Sequence, residues 1–491
     1  MNSTDNLPTS SRVFISADHG LAVIYFLQSD VVPTLLNAGV EVVLLTDEAL
    51  KEAITQRFGA PGLTVESLRL REANDYYRQV SHEVQWWLYF LRRVGCSRRI
   101  NVAATQGYIH QVSTEEGWKR RALLPLAKAF IALMRRSRRA RQMVVNLQTL
   151  HTPPLYTDLF ERYRPHLVVA STPGWRLDRY VLRQAAARGI PTAAVIVGWD
   201  NPSSYCLSGA PVQWITCWSE IQKRELVLGS DWPPERVNVG GIPSYDGYFR
   251  KQWLMPRDEY FALHGLDPQR KLISYAASFV SFHPGYENVA ALARLVAADA
   301  LAAPSQLLIR LHPNHFMDNH LYVGERERIR QLARETPHVH VVEPVPLGGS
   351  LGYYSGEDMP EKTSMMAYSD VFTTVYSTMV VETAIHDRPV VSVCIDTPGG
   401  WNWPRKVNLP FSQIGNWPTH QRFRQAGAGR VAVNEAELRD LLNLYLQHPE
   451  TDAENRRKFI ADECTFTDGS AGRRTGEYLL SLLDRHSSKV E

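Results

Sequence analysis

Short apolar runs punctuate this chain, and each is followed by a stretch with helical spacing. Val13 to Ser16 reads as a buried strand, followed by the loop Ala17-Asp18-His19-Gly20. Helical periodicity then runs from about Val23 to Asn37 and ends at Gly39, and Glu41 to Thr46 is a second strand. Strand, helix and parallel strand make a βαβ unit. The rhythm continues through Leu63–Leu70, His166–Ala170, a helix over Asp178–Gly189, then Pro191–Val197, Val212–Thr216, a helix over Ser219–Leu228, and Val237–Val239. It lapses over about 245–270. A new series opens with Lys271–Ala276 and continues through Gln306–Leu311, Val339–Val342, Val371–Val375 and Val390–Cys394. The pattern predicts an α/β chain of two Rossmann-like domains, 1–245 and 246–491, facing each other across a cleft, with the last helix packing back on the first domain.

Between about 77 and 142 the alternation gives way to a helical, basic insert. Lys119 to Arg141 reads KRRALLPLAKAFIALMRRSRRAR, with Arg92-Arg93, Arg98-Arg99 and Trp86-Trp87 upstream. Basic ends around an apolar centre suit a helix lying on an anionic membrane surface, although a core helix with solvated arginines has the same composition. Nucleic acid is not indicated, because the net charge is only +3 and no recognition motif accompanies the insert. The five cysteines are scattered without a C-x-x-C pair, which argues for reduced thiols rather than a disulfide or zinc framework. Met1 to Ser11 is polar and no run of about 18 apolar residues occurs. The expectation is a cytoplasmic chain, peripheral at the inner face of the membrane if the insert docks there.

Chemistry concentrates at Ser377-Thr378 and Glu382. They follow the strand Val371–Val375 and open the helical stretch Met379–His386, where unpaired backbone N–H groups can receive a phosphate. Glu382, one turn further, is placed to reach ribose hydroxyls. Plain capping by Thr378 accounts for the same residues, except that Val380 and Val381 stand where a capping box needs Glu. No G-x-G-x-x-G follows the first strand, which weakens a dehydrogenase reading. The loops after the first strand and after Val197 supply Asp18-His19 and Asp200 as candidate general bases. His19 titrates nearest neutrality with Asp18 beside it, whereas an Asx-turn before Asn201-Pro202 also explains Asp200. No D-x-D pair stands at a strand end, and Asp258-Glu259 and Glu357-Asp358 read as solvated loop charge.

Taken together, Trp199-Asp200-Asn201-Pro202-Ser203-Ser204, Trp218-Ser219-Glu220-Ile221-Gln222, Gly240-Gly241-Ile242-Pro243-Ser244-Tyr245-Asp246, Arg310-Leu311-His312-Pro313 and Tyr376 to Glu382 resemble, in that order, the GT-B glycosyltransferases of bacterial surface-polysaccharide assembly. The wider kinship includes capsule-polysaccharide transferases, CDP-glycerol glycerophosphotransferases and UDP-N-acetylglucosamine 2-epimerases. The resemblance covers roughly residues 167–482, with a looser match over 13–46. It implies a nucleotide-linked donor in the C-terminal domain and an acceptor on the N-terminal one. Carried over, Ser377, Thr378 and Glu382 contact phosphate and ribose, and Arg310 and His312 meet the leaving diphosphate. The loop Ala276 to Ser281, with Ser278 central, lines that diphosphate through backbone N–H groups, and His283-Pro284-Gly285 shapes the cleft. The implied activity moves a sugar from a nucleotide donor to a surface-polysaccharide, other glycan or lipid-linked acceptor without a metal. Glycerophosphate or polyol-phosphate transfer from a CDP-linked donor and 2-epimerisation are the alternatives. Among UDP, CDP and GDP the residues do not choose.

Overall fold

The computed structural model describes residues 11–278, 285–316, 320–348, 353–396 and 409–490. The N-terminal strands are β1 (Arg12–Ser16), β2 (Glu41–Thr46), β3 (Leu63–Ser67), β4 (Leu167–Ala170), β5 (Thr192–Val195), β6 (Trp214–Cys217) and β7 (Val237–Val239). They form one parallel sheet in the order β3-β2-β1-β4-β5-β6-β7. The C-terminal strands are β8 (Lys271–Ala276), β9 (Ser305–Arg310), β10 (Val339–Val342), the hairpin β11 (Pro346–Gly348) and β12 (Tyr353–Tyr354), β13 (Val371–Thr374), β14 (Val390–Val393) and β15 (Arg430–Ala432). Their main sheet is parallel with the order β10-β9-β8-β13-β14-β15. Both Rossmann-like domains expected from the pattern are present. β4, β5, β9, β13 and β14 are buried along their whole length, which is why they do not alternate apolar with exposed polar positions.

Each sheet reverses direction once, between β1 and β4 and between β8 and β13. Open α/β sheets bind ligands where this happens, outside the carboxyl ends of the strands. The stretch 23–37 is two helices rather than one, Ala22–Leu27 and Val31–Asn37. Ser29 divides them: its Oγ donates to the Tyr25 carbonyl and accepts the Val31 N–H, satisfying the broken ends locally. The final helix, Ala471–Val490, lies on the N-terminal domain, where Leu479, Leu482 and Leu483 join the core of Val13, Ile15 and Leu35. Its first N–H groups, from Ala471 and Gly472, donate to the Asp246 carboxylate at 3.0 and 2.8 Å, an anion at a positive helix end.

The insert between β3 and β4 folds as helices Leu70–Gln79, His82–Val94, Ala103–Glu115, Trp118–Met134 and Arg138–Leu147. Several of its landmarks face inward. Trp86 and Trp87 pack with Phe90 and Ile109 in the insert's own core, Arg92 is fully buried, Arg120 pairs with Glu83 and Glu116, and Arg141 pairs with Asp231. What stays exposed is narrower: Trp118 and Leu126, both 70% exposed, with Leu123, Leu133, Met143 and Leu147. Lys119, Arg121, Lys128, Arg136, Arg138 and Arg139 share that exposure. Among the described residues no helix is long and apolar enough to cross a membrane.

Candidate active site

The two switch points face each other across a cleft holding a cavity of about 140 Å³. Leu21, Ile24, Val197 and Trp218 line it from the N-terminal domain, and Ser244, Tyr245 and Tyr248 from the connection. The C-terminal domain supplies Ala276, Ala277, Arg310, His312, Tyr354, Asp358, Lys362, Ser377, Thr378 and Glu382. Ser278, half-buried, follows Ala277 in the loop leaving β8. Phe279 to Ser281 and His283-Pro284 lie outside the described residues.

On the C-terminal wall, β13 turns into the helix Met379–Ile385 through Tyr376, a non-glycine residue at φ 41°, whose ring stacks on His420 at 4.6 Å. That left-handed kink costs free energy the surroundings must over-determine, and it aims Ser377 and Thr378 at the cavity. Thr378 makes no side-chain cap, contrary to the capping expectation, and Ser377 Oγ instead accepts the Met379 N–H at 3.3 Å. Glu382 is 5% exposed, and its Oε2 accepts from Tyr248 Oη at 2.6 Å and from Lys362 Nζ at 2.5 Å. Arg310, at the end of β9, lines the cavity where the diphosphate was expected, and it is already engaged: its two terminal nitrogens donate to Asp358 and Glu361. Asp358 is therefore no solvated loop charge. His312 Nδ1 accepts the Asn314 N–H at 3.1 Å, so in the neutral ring Nε2 carries the hydrogen, 3.5 Å from Tyr354 Oη. Burial, with His315, Lys362 and Arg310 nearby, pushes the His312 pKa down to about 3 and keeps the ring neutral.

On the N-terminal wall the base assignment changes. His19 Nδ1 accepts the Leu21 N–H at 3.1 Å, which places the hydrogen on Nε2. Burial and the Arg176 cation push its pKa down to about 3. At rest the ring is neutral, with Nδ1 already accepting a backbone N–H. Asp18 does not orient it. Asp18 is fully buried, its Oδ2 accepts the Asp178 N–H at 2.7 Å, and Arg176 stands 3.6 Å from Oδ1. Burial raises the pKa of both Asp18 and Asp178, and Asp18 adds to the rise at Asp178 by repulsion. Asp200 is freed from the turn role that Asn201-Pro202 suggested. Asn201 takes that role, its Oδ1 accepting the Gly198 N–H at 2.8 Å, and the Asp200 carboxylate meets only Asn201 Nδ2, at 3.5 Å. Trp199 fills the wall between domains and offers no sugar-stacking face: it is buried, and its indole N–H donates to Glu463 at 2.8 Å.

No family model and no curated protein matches this sequence. Solved structures do match over nearly the whole length. A putative UDP-N-acetylglucosamine 2-epimerase from Listeria monocytogenes is 11% identical with a TM-score of 0.53, covering 98% of both chains. The UDP-GlcNAc 2-epimerase from Neisseria meningitidis, bound to UDP-GlcNAc, is 12% identical with a TM-score of 0.50, covering 96% of this chain and 100% of that one. A glycosyltransferase from Rickettsia africae is 8% identical with a TM-score of 0.51, covering 97% and 99%. The fold is GT-B. Within this GT-B chain, Asp178, Asp358, Glu361, Lys362 and Tyr248 escaped the motif reading, and their signal is a carboxylate, ammonium or phenol placed by topology against a motif residue. Among the described residues no three His, Cys, Asp or Glu side chains converge as a metal site.

Proposed function

We propose that this chain is a metal-independent GT-B glycosyltransferase that takes a nucleotide-linked sugar on its C-terminal domain and an acceptor on its N-terminal domain. The observation that carries the reading is the division of labour across the cleft. Ser377, Thr378 and Glu382 offer hydroxyls and a fixed carboxylate at one switch point, and on the other domain Asp200 follows soon after the cavity-lining Val197, its carboxylate in no ion pair among the described residues and 3.5 Å from Asn201 Nδ2. In the reaction the acceptor hydroxyl loses its proton to Asp200 and its oxygen bonds to the anomeric carbon. The bond from that carbon to the diphosphate breaks, and the diphosphate leaves with the electron pair toward Lys362 and the Nε2–H of His312. The cavity of about 140 Å³ is below the roughly 300–1,000 Å³ usual for ligand sites, so a nucleotide sugar has to part the domains to enter. A nucleotide-sugar 2-epimerase is the second reading, favoured by the epimerases among the matching structures.

Calorimetry with UDP, CDP and GDP, without added metal, tests the donor half. One of them should bind, and Glu382→Ala should weaken it by about 1–3 kcal/mol through loss of a charged hydrogen bond. Unchanged affinity in a folded Glu382→Ala protein removes the donor assignment. Conversion of a UDP-sugar at C2 without any acceptor decides for the epimerase. We further propose that the exposed apolar and basic face around Trp118, Lys119, Leu126 and Arg136 docks the enzyme on an anionic membrane, each basic residue contributing about 1 kcal/mol. Sedimentation with phosphatidylserine vesicles, lost in Trp118→Ser with Leu126→Ser, is the check; equal pelleting of both proteins refutes docking there.

A further inference from the structure

The N-terminal wall gathers more cationic groups than it neutralises. Arg92 and Arg93, from the helix His82–Val94, converge with Arg176 and Arg179 on Tyr89. Among the described residues no carboxylate lies within ion-pair distance of Arg92, Arg93 or Arg179, and Arg176 has only Asp18, at 3.6 Å. Arg92 is committed, donating to the carbonyls of Trp175, Tyr205 and Leu207. Arg179 is committed too, to the Arg176 carbonyl and Tyr180 Oη. Arg93 is not. Its Nη1 donates to Tyr89 Oη at 3.2 Å, its guanidinium lies 3.5 Å from the centroid of Tyr108 and 5.0 Å from that of Tyr205, and its buried Nε has no hydrogen-bond partner. Rings stacked on the face of a guanidinium leave its edge for an in-plane acceptor, the geometry in which carboxylate and phosphate bind.

Burial would push the Tyr89 phenol up, yet Arg93, Arg92, Arg179 and Arg176 carry it below its ordinary pKa, which measures how positive the spot is. Asp178 does little to offset it, since burial and the neighbouring Asp18 push its pKa up to about 8. Tyr89, Arg93, Tyr205 and Arg176 each keep part of their surface accessible. The spot adjoins the cleft. Asp18, which faces Arg176, belongs to the same loop as Leu21 in the cavity wall, and Asn101 of the insert reaches the Asn416 carbonyl and Gln421 of the other domain at 3.0 and 2.8 Å.

We propose that Arg93 and Arg176, with the hydroxyls of Tyr89 and Tyr205, bind an oxyanion, phosphate or carboxylate, carried by the acceptor. The identification of its carrier rests on the transferase reading; the anion site itself does not. The insert is then the device that gives this enzyme a charged-acceptor pocket.

Phenyl phosphate and benzoate, titrated by calorimetry into the full chain with and without saturating UDP, test it. One of the two should bind the wild type, phosphate binding with benzoate silent assigning the anion as phosphate and the reverse as carboxylate. Arg93→Met and Arg176→Gln should each weaken that binding about tenfold or more, the loss of one charged hydrogen-bond pair, and UDP affinity should move less than about twofold. Tyr89→Phe, which removes a single hydroxyl and no packing, should weaken it about threefold and guards against a misfolded arginine variant. No binding of either probe to the wild type, or equal binding to folded wild type, Arg176→Gln and Tyr89→Phe proteins, overturns the site. Failure of UDP, CDP and GDP alike to bind while an aryl anion still does so sinks the nucleotide-donor reading and leaves the anion site standing.

Discussion

The two walls of the cleft handle charge in opposite ways. On the C-terminal wall Arg310 is held between Asp358 and Glu361, and Lys362 sits on Glu382. On the N-terminal wall Arg93 rests on tyrosine rings and Asp200 has only an amide 3.5 Å away. A paired, half-buried charge is rigid and pre-oriented, but it must exchange partners to act on a ligand. An unpaired one is costly at rest and gains most when a ligand arrives. Under the proposed function the first wall recognises a pre-shaped donor and the second does chemistry on the incoming acceptor.

The sharpest way to break that contrast is at Asp200. Asp200→Asn should lower turnover by about 10²–10⁴-fold, the usual worth of a general base, with nucleotide affinity unchanged. His19→Gln, which keeps a side-chain N–H donor, should cost far less, because Nδ1 of the neutral ring is already taken by the Leu21 N–H. A dead His19→Gln enzyme beside a normal Asp200→Asn enzyme would reverse the assignment.

The paired wall is tested by stability. Arg310→Met should cost about 3–4 kcal/mol in urea unfolding, since it strands two carboxylates that are each 13% exposed at the side chain. Adding Glu361→Leu should recover part of that loss, the signature of coupled neighbours. A loss below about 1 kcal/mol would mean that these pairs behave like surface ions.

How these roles were assigned shows where a sequence is transparent. The strands were legible because a segment buried on both faces is nearly all apolar, as with Leu167–Ala170 and with Val390–Val393, where Ser392 is the one polar residue. The loops that meet at the cleft were legible too, since strand ends and topology place them. Side-chain partners were not. Arg310 looked free because Asp358 and Glu361 come from a helix start beyond the next strand, and His19 looked basic because nothing local shows that the Leu21 N–H takes Nδ1. Asp200 looked spent because Asn201 beside it can make the same turn and does. The Arg93 site joins the helices His82–Val94, Ala103–Glu115 and Asn201–Tyr205. No short motif spans such a set.

A third charge cluster lies between the walls and gives the smallest effect. Arg422 donates to Glu225 of the N-terminal domain at 2.8 Å and to Glu463 of its own domain at 2.7 Å, clamping the two together. Burial raises the Glu225 pKa to about 7, with Arg422 opposing and Glu463 adding to the rise. The folded state therefore prefers protonated Glu225. Its contribution to stability is complete below the unfolded pKa near 4.5 and is lost as pH rises through about 7. The histidines act in the opposite sense: His19, His312 and His420, with pKa values near 3, contribute stability above pH 6.5 that is lost as pH falls. A bare pH profile of the wild type mixes both, so the informative quantity is the difference from Glu225→Gln, which removes one titration and leaves the histidines alone. That difference should shift in favour of the variant by about 3 kcal/mol between pH 4.5 and 7.5, at most about 1.4 kcal/mol per pH unit. Urea unfolding at four pH values measures it. A constant difference across the range would mean that Glu225 stays ionised beside Arg422, and the clamp would then belong with the paired wall.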